Sequence, residues 1–164
     1  MLKDFLERWI GKASCVWNDL QRYARIPRAQ KRLLREALMS LAIARIALAC
    51  LPFRRIAAWM GTPGAETPAT ATADQIRTAE EVGWAVGVLQ RRVPWDGRCF
   101  AQALAATAML RRRGLEGTVS FGACPGESAG FNAHAWLRVG PCMVTGGPGH
   151  RQFKTFTTFA RTRS

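Results

Sequence analysis

Hydrophobic positions along the 164 residues follow two rhythms, helical spacing as far as Gly114 and alternation after it. Leu2, Phe5, Leu6, Trp9, Ile10, Ala13, Val16, Trp17 and Leu20 trace the apolar stripe of an amphipathic helix. A stripe carrying two tryptophans predicts packing on the domain or a partner rather than burial in lipid. Pro27 breaks this pattern, and a second helix is expected from about Arg28 to Leu51. Its first half is basic on one side (Arg28, Lys31, Arg32, Arg35), whereas 37–53 is apolar nearly all round apart from Ser40 and Arg45. That run is shorter than the roughly 20 residues that span a bilayer, and Arg45 interrupts it. It reads as a buried core helix.

Gly61 to Ala71 holds Pro, Gly, Thr and Ala with no large apolar residue, the composition of a mobile loop. Thr72-Ala73-Asp74-Gln75 matches a capping box, and Ile76, Ala79, Val82, Val86 and Leu89 supply the face of the helix it opens. Pro94 ends that helix, and Asp96-Gly97 is a turn signal. Phe100, Ala103, Leu104, Thr107 and Leu110 then recur at helical spacing up to Gly114, a natural residue past a helix end. Strands are expected at Thr118–Cys124, Asn132–Val139, Cys142–Thr145 (through a Gly140-Pro141 turn) and Gln152–Ala160. In the last, Phe153, Phe156 and Phe159 do not alternate cleanly. The fold class is therefore α+β, a helical N-terminal half packed on a small antiparallel sheet. Length predicts one domain over 1–164, with 1–60 helical, 61–73 a flexible loop and 74–160 the core.

The candidate chemistry lies at the junction of the two regimes. Cys99 falls in the first turn of its helix, where unpaired N–H groups and the dipole favour thiolate over thiol. Arg98 adds a cation, and Arg111 to Arg113 suit the opposite end. His134, one of two histidines, sits in the second strand with Trp136 and Arg138 on its face; Ala133, Ala135, Leu137 and Val139 share the other. A cysteine opening a helix and a histidine on a later strand is the layout of a thiol nucleophile and its base. Papain-like and transglutaminase-like enzymes assemble their sites in this way.

The stretches Cys99-Phe100-Ala101-Gln102-Ala103-Leu104-Ala105-Ala106, Met109-Leu110-Arg111-Arg112-Arg113-Gly114 and His134-Ala135-Trp136-Leu137-Arg138-Val139-Gly140 closely resemble one transglutaminase-like family. It is the stand-alone B protein of lasso-peptide biosynthesis, a leader peptidase. Arg32 to Leu38 and Leu51 to Arg54 look like that family's helical N-terminal half, so the resemblance runs over roughly 28–160. It implies a cysteine peptidase that removes the leader of a ribosomally made precursor, with Cys99 as nucleophile and His134 as base and acid. It also implies three partners: the precursor peptide, a small leader-recognition protein acting in trans, and a lasso cyclase. The family is expected to place a third catalytic group, usually an aspartate, on the strand after the histidine. Here no Asp or Glu follows Glu127. A group orienting His134 is then Thr145, an amide such as Asn132, a backbone carbonyl or an acid from elsewhere. An aspartate introduced at 145 or 146 would be expected to supply the missing charge.

Composition narrows the alternatives. Twenty-four Lys and Arg against 11 acids give a net charge of +13, which points to acidic partners, nucleic acid or an anionic membrane surface. No nucleic-acid motif accompanies the charge, and the resemblance explains it instead by peptide substrates and partner proteins with acidic surfaces; neither nucleic acid nor membrane is expected. Cys99, Cys124, Cys142, His134 and His150 lack the paired spacing of structural zinc sites. Gly146-Gly147-Pro148-Gly149 lacks the lysine of a phosphate loop and reads as a turn bordering the site. No metal and no cofactor is expected. Five cysteines without a disulfide framework, and no secretory pattern at the start, point to a cytoplasmic protein. Two other functions fit the same residues: acyl transfer to an amine in the transglutaminase manner, and a catalytically silent basic adaptor for a membrane or nucleic acid.

Overall fold

A computed structural model describes residues 26–90, 99–126, 130–147 and 149–161. The stripe of residues 1–20, the Asp96-Gly97 turn, Trp95 and Arg98 lie outside the described residues. Contacts divide the chain into two units, 1–33 and 34–164. All packing described below is within 34–164.

Among the described residues four α-helices precede the four longer strands of the sheet. In α1 (Arg28–Cys50) the buried residues are Leu34, Ala37, Ser40, Leu41 and Ala44, one stripe at helical spacing. Burial of the whole 37–53 run is not observed. Met39, Ile43 and Ile46 are each more than half exposed, because only one side of α1 meets other elements of the unit. Helix α2 (Phe53–Met60) follows Pro52, whose fixed φ of −65° suits a helix entry. Its last carbonyls do not stay orphaned. Arg111 donates to Trp59 O at 2.6 Å and Met60 O at 2.7 Å, while its guanidinium lies 4.5 Å over the Trp59 ring and pairs with Glu116. Helix α3 (Ala73–Gln90) opens with the expected capping box: Thr72 N donates to Gln75 Oε1 (2.9 Å), and Gln75 N to Thr72 Oγ1 (3.3 Å).

Helix α4 (Cys99–Arg111) is buried nearly all round, through Ala101, Ala103 to Thr107, Met109 and Leu110. A run of alanines lets α3 and the sheet approach it closely. Leu115 N then bonds back to Leu110 O, and Gly114 takes φ +70°, the left-handed termination that the sequence predicts.

The sheet comprises β1 (Thr62–Pro63), β2 (Thr118–Pro125), β3 (Phe131–Val139), β4 (Cys142–Thr145) and β5 (Lys154–Ala160). They lie in the order β1-β5-β2-β3-β4, with every pairing antiparallel. The irregular phenylalanine spacing has a structural cause. Register shifts from Phe121↔Thr157 to Gly122↔Thr155, so Phe156 is an extra residue and β5 changes face. The segment expected to be a flexible loop is tied at several points. Thr62-Pro63 pairs with β5, Thr67 bonds Thr118 Oγ1 at 2.9 Å, and Glu66 pairs with Arg138 at 2.7 Å. Helix α3 crosses β4 so closely that a Cβ on Gly83 would stand 2.6 Å from Val144 O. Helix α4 packs on β3 and β4, which sets its N-terminus against the middle of β3.

Candidate active site

Cys99 is the first residue of α4, and its half-buried Sγ accepts a hydrogen bond from Ala135 N at 3.3 Å. Ala135 follows His134 on β3, so the thiol is held by the amide one residue along the strand from the predicted base. This N–H is free for the thiol because β4 no longer accompanies β3 here: their pairing reaches only to Leu137↔Thr145. Among the described residues the thiol's hydrogen-bond partner is this amide, and no direct Cys99–His134 bond is formed. Contacts of this kind commonly tighten only when substrate is bound.

His134 is half-buried, and its Nε2 lies 2.8 Å from Gly146 O. A carbonyl can only accept, so Nε2 carries the proton and Nδ1 keeps its lone pair. That tautomer is the one a base needs if Nδ1 is to take the thiol proton. Ring stacking holds the plane: Trp136 lies at 5.8 Å between centroids and 27°, Phe153 at 4.9 Å and 33°. Across the sheet His134 pairs with Gly122, where a Cβ would come within 2.8 Å of the Trp136 ring and 3.0 Å of Phe153 Cβ. Gly122 is thus the gap through which the aromatic clamp closes.

Of the orienting groups left open by the sequence, the backbone carbonyl is the one observed. It belongs to Gly146, on the turn read as a border of the site. Thr145 does not fill the role; its Oγ1 is buried without a hydrogen-bond partner among the described residues. Nor can an aspartate at 146 be expected to supply charge. Gly146 has φ +72°, and a Cβ there would stand 2.7 Å from Ala135 O and 3.0 Å from His134 Nε2. The same turn holds the second histidine, with His150 Nδ1 donating to Gly147 O at 2.7 Å and its ring 6.0 Å from that of Trp136. No sequence signal marks these carbonyls, since every residue has one.

The other described cysteines differ from Cys99 in position. Cys50 is exposed at the end of α1, and Cys124 lies on β2. Burial, and then the nearby Glu80 carboxylate, push the Cys142 thiol up, which disfavours it as a nucleophile. A thiol at a helix start, an N–H aimed at its sulfur and, one residue away on β3, an imidazole of fixed tautomer are groups that covalent acyl chemistry uses.

Residues 37–158 match the transglutaminase-like superfamily, and the chain belongs to it. That superfamily includes cysteine peptidases and acyltransferases. No curated protein and no solved structure gives a significant match. Among the described residues no helix is long and apolar enough to cross a membrane.

Proposed function

We propose that this chain is a cysteine peptidase that removes the leader from a ribosomally made lasso-peptide precursor, using Cys99 and His134. The observation that carries the chemistry is the Cys99 thiol seated on the amide next to His134, whose Nε2 is committed to Gly146 O. The choice of substrate rests on the resemblance of the 99–114 and 134–140 stretches to the stand-alone leader peptidases. In this reading the leader-recognition protein presents the precursor, and the cyclase takes the released core peptide.

The steps follow from the two nitrogens of His134. Nδ1 takes the Cys99 proton as sulfur attacks the scissile carbonyl carbon, forming the C–S bond. N–H groups at the start of α4, together with Ala135 N–H once the sulfur turns off it, stabilise the oxyanion. Collapse breaks the C–N bond, and the imidazolium gives its proton to the leaving amine. Water then attacks the thioester with Nδ1 accepting its proton. The C–O bond forms, the C–S bond breaks, and the proton returns to sulfur.

Incubation with a lasso precursor and its leader-recognition protein, read by mass spectrometry, tests the proposal. Cys99→Ala is expected to reduce cleavage by at least about 10³-fold, as loss of a nucleophile does. Cys50→Ser, Cys124→Ser and Cys142→Ser should retain it. Full activity in Cys99→Ala overturns the nucleophile. An isopeptide product in place of a free leader carboxylate would assign acyl transfer instead.

A further inference from the structure

Strand β3 runs on past its partner. Its pairing with β4 reaches from Val139↔Cys142 only to Leu137↔Thr145. Among the described residues, 131–136 therefore pair with β2 on one side and with no strand on the other. Antiparallel pairs alternate between those that exchange both main-chain hydrogen bonds and those that exchange none. Just beyond the β2–β3 ladder Gly126 N donates to Gly130 O at 2.9 Å, which marks these two as an exchanging pair. Counting along the register, Cys124↔Asn132 and Gly122↔His134 exchange bonds as well. Pro125↔Phe131, Ala123↔Ala133 and Phe121↔Ala135 do not. A proline, having no N–H, suits the first of these. The N–H and C=O groups of Phe131, Ala133 and Ala135 thus all point away from β2, to the open edge. Ala135 shows this directly, with its N–H on Cys99 Sγ at 3.3 Å and its oxygen facing Gly146 of the turn after β4.

The edge at Phe131 and Ala133 is open. Neither backbone has a hydrogen-bond partner on that side among the described residues, and 131–133 are all exposed. Proteins commonly blunt such an edge with lysine, proline or another charge, and Phe131-Asn132-Ala133 carries none of these. The Cys99 sulfur lies on the same edge. It stands on Ala135 N–H, where a carbonyl oxygen of an added strand would stand. Ala133 is two residues back, about 7 Å along the strand.

We propose that the edge of β3 from Phe131 to Ala135 binds the peptide substrate as an added strand, pairing with its main chain at Ala133 and delivering a carbonyl to Cys99. The proposal rests on Cys99 being the nucleophile and assigns how its substrate is recognised: as an extended chain, read through its backbone. Ala133 N–H donates to a peptide carbonyl, and Ala133 C=O accepts from a peptide N–H. Recognition of this kind tolerates varied side chains and excludes an N-alkylated residue at the paired position. It also fixes the register of the chain against the thiol, so that the attacked carbonyl is placed by contacts remote from the bond that breaks.

Alanine peptides with one α-ketoamide in the chain test the added strand on the full-length protein. They bind thiols reversibly: sulfur adds to the keto carbon, and the thiol proton goes to its oxygen. Protection of Cys99 from iodoacetamide is read by peptide mass spectrometry. Lengthening the peptide from one residue to three on each side of the ketone is expected to tighten protection about tenfold, the worth of two main-chain hydrogen bonds. N-methylation at successive residues should then show a period of two. One amide is needed, and the amides beside it, which point away from β3, are not. The sensitive side follows the ketone in an antiparallel strand, the sense of every pairing in this sheet, and precedes it in a parallel one; either supports the proposal. Ala133→Pro removes the edge N–H without taking a bond from the β2 ladder, and short and long peptides should then protect equally. Equal protection in the parent, or the same loss at every methylated position, overturns the added strand while alkylation of Cys99 leaves the nucleophile standing. A length effect that vanishes as protein concentration rises, with dimers seen in sedimentation, gives the edge to a second copy and also overturns it. Failure of iodoacetamide to reach Cys99 overturns both readings.

Discussion

Gly146 serves His134 in two ways: its carbonyl fixes the tautomer, and its missing side chain lets β3 approach. A methyl group there would press on Ala135 O, which is backbone and cannot swing away, and φ +72° adds strain of about 1–3 kcal/mol. Gly146→Ala is therefore expected to lower turnover about tenfold or more while the protein still folds. Nitrogen-detected NMR of the His134 ring should show a proton on Nε2 in the parent and a mixed tautomer in the variant. A parent ring protonated on Nδ1 would refute the assignment. Thr145 gives the opposite expectation. Its hydroxyl is buried without a partner among the described residues, so Thr145→Val removes a desolvated polar atom at almost constant volume. Stability in urea should rise by about 1 kcal/mol with turnover unchanged; a loss of activity would restore Thr145 to the site. Cys99 and His134 were open to nomination because thiol and imidazole are chemically distinct side chains. The orienting group was not, because a carbonyl leaves no trace in side-chain identity.

Element by element, periodicity was informative where one face alone is apolar. The capping box at Thr72-Gln75 and the strands at 118, 131 and 142 formed where local residues call for them. Helix α1 shows where periodicity stops informing. Its residues from Ala37 onward are apolar nearly all round, so spacing alone cannot say which side meets the rest of the unit. The structure buries Leu34, Ala37, Leu41 and Ala44 and leaves Met39, Ile43 and Ile46 outside. Strand β5 shows the same limit from another direction. A bulge at Phe156 breaks the two-residue rhythm, and the sequence displays only the broken rhythm, without the paired strand that explains it. Arg111 is a third case. It was read as a cation at the end of its own helix, yet it also caps α2 through two carbonyls more than 50 residues away.

For the whole molecule, a chain with 24 basic and 11 acidic residues depends heavily on where its few carboxylates sit. Glu36 of α1 receives a two-pronged contact from Arg113 at 3.0 and 2.7 Å and a further bond from Arg112 at 2.9 Å, joining α1 to the segment that ends α4. The Arg113 hydrogen bonds, opposed in part by burial, hold its carboxyl below the ordinary 4.5. A depressed carboxylate pKa means that the unfolded chain binds the proton first as pH falls. The stabilisation is thus complete above the unfolded pKa and is lost as pH falls through the lower folded value. Protonation also leaves two adjacent guanidiniums without their shared anion, in a protein whose net charge is already rising from +13 toward that of its bases alone. Glu36→Gln, which keeps an acceptor but no charge, is expected to be less stable than the parent near neutral pH by up to about 1 kcal/mol, the upper range for partly exposed pairs. Urea unfolding at about pH 7 and again at about pH 3 checks the sign, because the difference should shrink as the parent's carboxylate is neutralised. A difference that stays constant, or widens in acid, would mean that Glu36 acts through packing rather than through its charge.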